Sequence, residues 1–286
     1  MKITVAHSPD ADDIFMYYAI AFGWVDTKDY EFENIALDIE TLNQEAIKGS
    51  FEVSAISFGV YPFIRNDYAL LRCAISFGDG YGPKLIKKKK KRLKENFKVA
   101  LSGKFTTNAM LFRMKYPKAR IVYKNFLEIE KAVLDGEVDA GVLIHESILN
   151  FDDSLEVEAN LWDIWVELSK KELPLPLGGM AIRRSIPLNR AIEIENILTT
   201  GVEVANKRAE ELIKLLEEKN LVRIKDKMLQ KYLQMYASTQ SISLNEIQIE
   251  ALNTLYQIGY KNGVYKMPLK VEDYLIPKEY EELRKK

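Results

Sequence analysis

Two histidines carry the only side chains in this chain whose ordinary pKa lies close to neutrality, and each stands where an apolar β-type run ends. His145 follows Ala140-Gly141-Val142-Leu143-Ile144 and precedes Glu146-Ser147. Ligands of α/β proteins gather beyond the carboxyl ends of parallel strands, so His145 is placed to take a proton from a bound molecule. By position alone, a structural or surface histidine suits it as well. His7 closes Ile3 to Ala6 and opens Ser8-Pro9-Asp10-Ala11-Asp12-Asp13, which runs into a helical pattern. Three carboxylates beside an imidazole could ligate a divalent cation. Acids in a first helical turn also cap backbone N–H groups and complement the helix dipole, and capping without metal is the expectation.

A second polar helix start is Phe105-Thr106-Thr107-Asn108, after the turn Ser102-Gly103. Its hydroxyls and first-turn N–H groups would receive a carboxylate, or else form an ordinary threonine cap. Phe77-Gly78-Asp79-Gly80-Tyr81-Gly82-Pro83 lacks the lysine and spacing of a phosphate loop and reads as a crossover between lobes. No Gly-x-Ser-x-Gly elbow, His-Glu-x-x-His pair or dinucleotide fingerprint is present. The lone Cys73, in an apolar stretch, excludes an intramolecular disulfide and a cysteine-based metal site and reads as a buried, inert thiol. Among Tyr61, Tyr81, Trp162 and Trp165, core packing is the ordinary role; Tyr81 is the one taken as a ring that stacks on a ligand.

The elements that must hold these groups alternate through the first two-thirds of the chain. Strands are expected at 3–6, 35–39, 53–57, 70–75, 97–101, 120–123 and 138–144, with helices around 13–22, 42–48, 108–115 and 127–134. This pattern predicts α/β layers with largely parallel sheets. After Arg184, amphipathic helices are expected over 189–219, 225–236 and 244–261, the last opening on Ser243-Leu244-Asn245-Glu246 as a capping box. Ala46-Ile47-Lys48-Gly49 before Glu52-Val53, and Ala132 to Gly136 before Glu137-Val138, echo one another as helix end, turn and strand; chance explains the echo as well as a repeat does. The run Lys87 to Arg92 has no interleaved aromatics and reads as a solvated connection.

At 286 residues, the chain is long enough for two lobes, each with its own core. With 47% hydrophobic and 29% charged residues and a formal net charge of −1, it reads as globular, with no field favouring nucleic acid or an anionic membrane. The start Met1-Lys2-Ile3-Thr4-Val5 has no secretory pattern and no apolar run reaches membrane-spanning length, so a cytoplasmic location is expected, with a small molecule as partner and the oligomeric state left open.

Several segments taken together resemble one family: Ser8-Pro9-Asp10-Ala11-Asp12-Asp13-Ile14-Phe15, Asp38-Ile39-Glu40-Thr41-Leu42-Asn43, Ile56-Ser57-Phe58, Gly80-Tyr81-Gly82-Pro83, Thr106-Thr107, Leu143-Ile144-His145-Glu146-Ser147 and Leu173-Pro174-Leu175-Pro176-Leu177-Gly178-Gly179. In order and spacing they are similar to the menaquinone-biosynthesis enzymes of the futalosine route, the group that includes 1,4-dihydroxy-6-naphthoate synthase and chorismate dehydratase. The resemblance runs to about residue 184. It implies a two-lobed α/β fold of the periplasmic-binding-protein type (type II), with a ligand cleft between lobes and a helical C-terminal region. The large lobe would comprise 1–83 and 185–286, the small lobe 84–184, with crossover strands near 78–86 and 175–184. It implies a carbon–carbon lyase that converts cyclic dehypoxanthinyl futalosine to 1,4-dihydroxy-6-naphthoate without a cofactor, with neutral His145 as base. The aromatic carboxylate would meet Thr106, Thr107 and Asn108, and Ser8, Asp13, Ala55, Ile56, Ser57 and Tyr81 would complete the substrate site. Two alternatives stay open: chorismate dehydration, although its usual Ser-Tyr-Leu-Asn opening is absent, and non-catalytic binding of a small carboxylate.

Overall fold

A computed structural model describes residues 1–276; residues 277–286, assigned above to the large lobe, lie outside the described residues. Among the described residues eleven strands are formed: β1 (Lys2–His7), β2 (Glu31–Ala36), β3 (Val53–Ser57), β4 (Tyr68–Leu70), β5 (Ser76–Gly78), β6 (Lys84–Lys88), β7 (Lys98–Leu101), β8 (Arg120–Tyr123), β9 (Ala140–Leu143), β10 (Leu155–Asn160) and β11 (Leu175–Arg183). They make two sheets. The first has the order β2-β1-β3-β11-β4 with β5 also on β11, and the second β10-β6-β9-β7-β8. Each sheet is mixed, which corrects the expectation of largely parallel strands. β1 runs parallel to β2 and β3, and β7 parallel to β8 and β9, while β11 and β6 return antiparallel to their neighbours. The returning strands are those that enter each sheet from the other, and such a crossover arrives from the opposite end.

The helices are α1 (Ala11–Ala21), α2 (Ile39–Lys48), α3 (Tyr61–Ile64), α4 (Thr107–Lys115), α5 (Ile129–Leu134), α6 (Leu161–Ser169), α7 (Leu188–Lys207), α8 (Ala209–Glu218), α9 (Asp226–Tyr236) and α10 (Glu246–Lys261). The two echoing segments occupy equivalent places. Gly49 and Gly136, both with positive φ, end α2 and α5, and the strands that follow, β3 and β9, pair parallel with β1 and β7. A left-handed residue after a helix suits glycine because no Cβ clashes. Apolar residues of both sheets are buried, including Ile3, Val5, Val53 and Ile56 in the first and Leu85, Ile86, Val99 and Val142 in the second.

Several expectations shift for local reasons. The strand expected at 35–39 lies at Glu31–Ala36, because the Asp38 carboxylate accepts N–H bonds from Glu40 and Thr41 and starts α2 instead. The run 70–75 is extended only through Leu70; Ala74 adopts positive φ. Helix 189–219 breaks at Arg208, and the last helix is capped by the reciprocal pair Asn245 and Gln248, not by Ser243 and Glu246. The basic run is not all solvated connection. Lys87 lies within β6 and its ammonium sits between Glu156 at 3.3 Å and Glu158 at 2.9 Å on β10, opposite charges on one face of a strand pair. Among the described residues no helix is long and apolar enough to cross a membrane.

Candidate active site

A cavity opens between the sheets, lined by residues of both. From the first sheet it takes Ser8, Asp10, Asp12 and Asp13 after β1, Ala55 to Ser57 at the end of β3, and Leu177 to Gly179 on β11. From the second it takes Thr106 to Asn108 at the start of α4 and Ile144, His145 and Ile148 after β9; Tyr232 and Tyr236 of α9 close one side. Nine of the expected site residues therefore meet here: Ser8, Asp13, Ala55, Ile56, Ser57, Thr106, Thr107, Asn108 and His145. Tyr81 does not. Its hydroxyl donates to the Met235 carbonyl and its ring packs edge-on against Tyr236, behind the cavity wall.

His145 adopts φ of +53°, a left-handed conformation rare for a residue with a Cβ, and it is held there by contacts on both sides. Its Nδ1 lies 2.7 Å from Oδ2 of Asp10, its ring packs edge-on against Phe126, and its side chain is 17% exposed. Nε2 is buried and has no protein partner. Burial by itself would lower the imidazole pKa, but the charge and hydrogen bond of Asp10, aided by Asp12 and Glu146, outweigh it and raise the value to about 9. The Asp10 contact thus favours the protonated imidazole, where the resemblance implies a neutral ring as base. Burial would raise Asp10, yet the adjacent imidazolium and the bond from Ser8 Oγ hold it below the usual carboxylate range.

The three acids do not cap α1 as expected. Asp10 occupies the N-cap position but makes no cap bond with its side chain, which turns to Ser8 and His145. Asp12 accepts the Tyr232 hydroxyl at 3.0 Å, and burial followed by the charge of Asp10 pushes its carboxyl up to about 7. Asp13 accepts the Ser8 N–H at 2.7 Å and is pushed well above its ordinary value, first by burial. One ligand atom each from Asp10, Asp12 and His145 lie within 4.8 Å of one another, a spacing an ion could bridge; here the Asp10 and His145 atoms bond to each other.

At the other helix start, both threonine hydroxyls are engaged within the protein. Thr106 accepts the Ala109 N–H, and Thr107 bridges the Gly59 N–H at 3.0 Å and the Leu177 carbonyl at 3.2 Å. What this helix start has left unengaged is the Oδ1 of Asn108, buried without a partner, beside the first-turn N–H groups that no helix carbonyl can accept from. Ser57 is fixed by Asn43, which accepts its N–H at 2.9 Å and donates to its hydroxyl at 3.1 Å. His7 is a core residue. It packs against Tyr17 and Tyr18, with Nδ1 2.7 Å from the Ser8 carbonyl, and burial lowers its pKa. Sequence reasoning passed over Asp10 as a partner for His145, and Tyr232 altogether, because both assignments require contacts between distant segments.

Three kinds of comparison bear on this site. A family model described as menaquinone biosynthesis matches residues 3–261. The 1,4-dihydroxy-6-naphthoate synthase of Thermus thermophilus is 26% identical over 262 residues, covering 92% of this chain and 95% of that enzyme. The enzyme of the same name from Streptomyces coelicolor is 30% identical over 210 residues, 71% of this chain and 73% of its own. Among solved structures, a protein from Archaeoglobus fulgidus superposes with a TM-score of 0.85 at 35% identity, covering 92% of this chain and 98% of that one. An alkanesulfonate-binding protein from Xanthomonas axonopodis reaches 0.70 at 12% identity, with 96% and 97% covered, a likeness of fold alone. The architecture is that of the periplasmic binding proteins, and the chain belongs to the menaquinone biosynthesis family.

Proposed function

We propose that this protein is a carbon–carbon lyase of menaquinone biosynthesis that converts cyclic dehypoxanthinyl futalosine into 1,4-dihydroxy-6-naphthoate, with His145 as the proton acceptor. The observation that carries the reading is His145 itself, a residue lining the cavity whose buried Nε2 has no protein partner and whose other nitrogen is bound by Asp10. Such a pair fixes the ring and its tautomer, and the Asp10 carboxylate stabilises the imidazolium formed when the proton arrives. A raised pKa leaves a smaller deprotonated fraction at neutral pH, and that fraction is a correspondingly stronger base.

The substrate carboxylate binds at the start of α4, where the N–H groups of Thr107 and Asn108 meet it. Removal of a proton by His145 then triggers cleavage of the bond to the sugar remnant. A positioned base supplies about 10²- to 10⁴-fold, and water exclusion with fixed geometry between the sheets supplies a further part. The reading needs no cofactor. It is tested by incubating the purified protein separately with cyclic dehypoxanthinyl futalosine and with chorismate. Naphthoate absorbance from the first supports it, whereas enolpyruvyl benzoate from the second, or binding without turnover of either, overturns it.

A further inference from the structure

Glu146 follows the proposed base in sequence, is 5% exposed, and does not line the cavity. Both of its oxygens are used by the first-sheet side of the molecule. Oε1 accepts the Ala11 N–H at 2.9 Å, and Oε2 accepts Nη2 of Arg223 at 2.7 Å. Ala11 is the first residue of α1, whose own N-cap carboxylate is turned away to Ser8 and His145. The helix start is therefore capped from the opposite sheet, by a residue of the segment after β9. A carboxylate there is favoured both by the orphan N–H groups and by the helix dipole.

Arg223 lies on the connection between α8 and α9, two helices that pack on α1. Its Nη1 donates to the Pro9 carbonyl at 3.0 Å, Nη2 lies 3.8 Å from Oδ1 of Asp10, and the guanidinium lies over the Phe126 ring at 5.1 Å. Phe126 in turn is the ring that meets His145 edge-on at 4.9 Å. Separation of the sheets would break the Ala11 and Arg223 bonds of Glu146 together, and would part Asp10 from His145 in the same movement.

We propose that Glu146 and Arg223 are positioning residues, a clasp that holds the start of α1 against the segment carrying His145 and so keeps the Asp10–His145 pair assembled when the cleft is closed. The kinetic part of this proposal rests on the function proposed above; the structural part does not. The test uses the full chain with Glu146→Gln, Arg223→Ala and Arg223→Lys, each checked for native circular dichroism. Small-angle scattering without ligand and steady-state kinetics of naphthoate formation are measured on the same samples.

Glu146→Gln and Arg223→Ala are expected to raise the radius of gyration and to lower kcat by about 10- to 100-fold with a smaller change in KM, as misplacement of a reacting group does. Arg223→Lys, which keeps the charge, is expected to fall between Arg223→Ala and the parent. A Glu146→Gln, Arg223→Ala double variant should lose less than the two single effects combined, since the two residues share one contact. An unchanged radius with unchanged kcat, or a rise in KM alone, overturns the clasp. If one variant does not fold, the other two still decide between these outcomes. Should the parent protein form no naphthoate, the functional reading fails while scattering still decides the clasp: a raised radius supports it, and an unchanged one overturns it.

Discussion

Nδ1 of His145 and Oδ2 of Asp10 lie 2.7 Å apart although they stand at the ends of strands in different sheets. The pair exists only because the two sheets face one another, and it leaves the buried Nε2 without a protein partner. Orientation of the imidazole and the direction of its pKa shift both follow from that one contact.

Replacing His145 by Gln keeps a polar side chain of similar size but removes the base. We expect kcat for naphthoate formation to fall by about 10²- to 10⁴-fold, with KM altered less than kcat. Steady-state assays with native folding confirmed by circular dichroism measure this, and undiminished kcat removes His145 from the chemistry.

The pH profile follows from the sign of the shift. A base must be unprotonated to act, so kcat/KM should climb as pH rises through about 9, the value set when Asp10 outweighs burial. Asp10→Asn deletes the charge that raises the imidazole while burial continues to lower it, and the rising limb should move to lower pH. A profile that is flat from pH 7 to 10, or a limb that stays in place in Asp10→Asn, contradicts the assignment.

Thr107 is structural through its hydroxyl, which ties Gly59 beside α3 to Leu177 on β11. Thr107→Val should leave the buried Gly59 N–H without an acceptor and lower stability by about 1–3 kcal/mol, read as a fall in denaturant midpoint at constant slope.

Cys73 is fully buried, and burial first, then the charge of Glu195, pushes its thiol up to about 12. A thiol reagent at pH 8 should leave the folded protein unmodified and label one site per chain after denaturation. Rapid labelling of the folded chain would show that this core opens readily.

Asp10, Asp12 and His145 are spaced to bridge an ion, while the proposed mechanism uses none. Prolonged treatment with a chelator should leave turnover unchanged. Loss of activity that a divalent cation restores would assign these three residues to a metal instead.

Much of the framework was legible because it is written in short-range chemistry. The strand 53–57, the helix opening at Thr107 and the paired helix–turn–strand echoes ending at Gly49 and Gly136 each depend on residues within a few positions of one another. The same locality explains the errors. The Asp38 cap overrode a β-type run, and the acids of 10–13 looked like caps until their carboxylates found other partners.

By itself the sequence determined the alternation of elements and the polar ends, among them His145 and Thr106 to Asn108, that come to face a cleft. The tertiary structure alone decided that Asp10 pairs with His145, that Tyr81 binds the Met235 carbonyl, and that Glu146 meets Ala11 and Arg223. Local patterns are set by rotation about neighbouring backbone bonds. A pKa or a clasp is set by distances between atoms far apart in the chain, and only the packing of one sheet against the other fixes those.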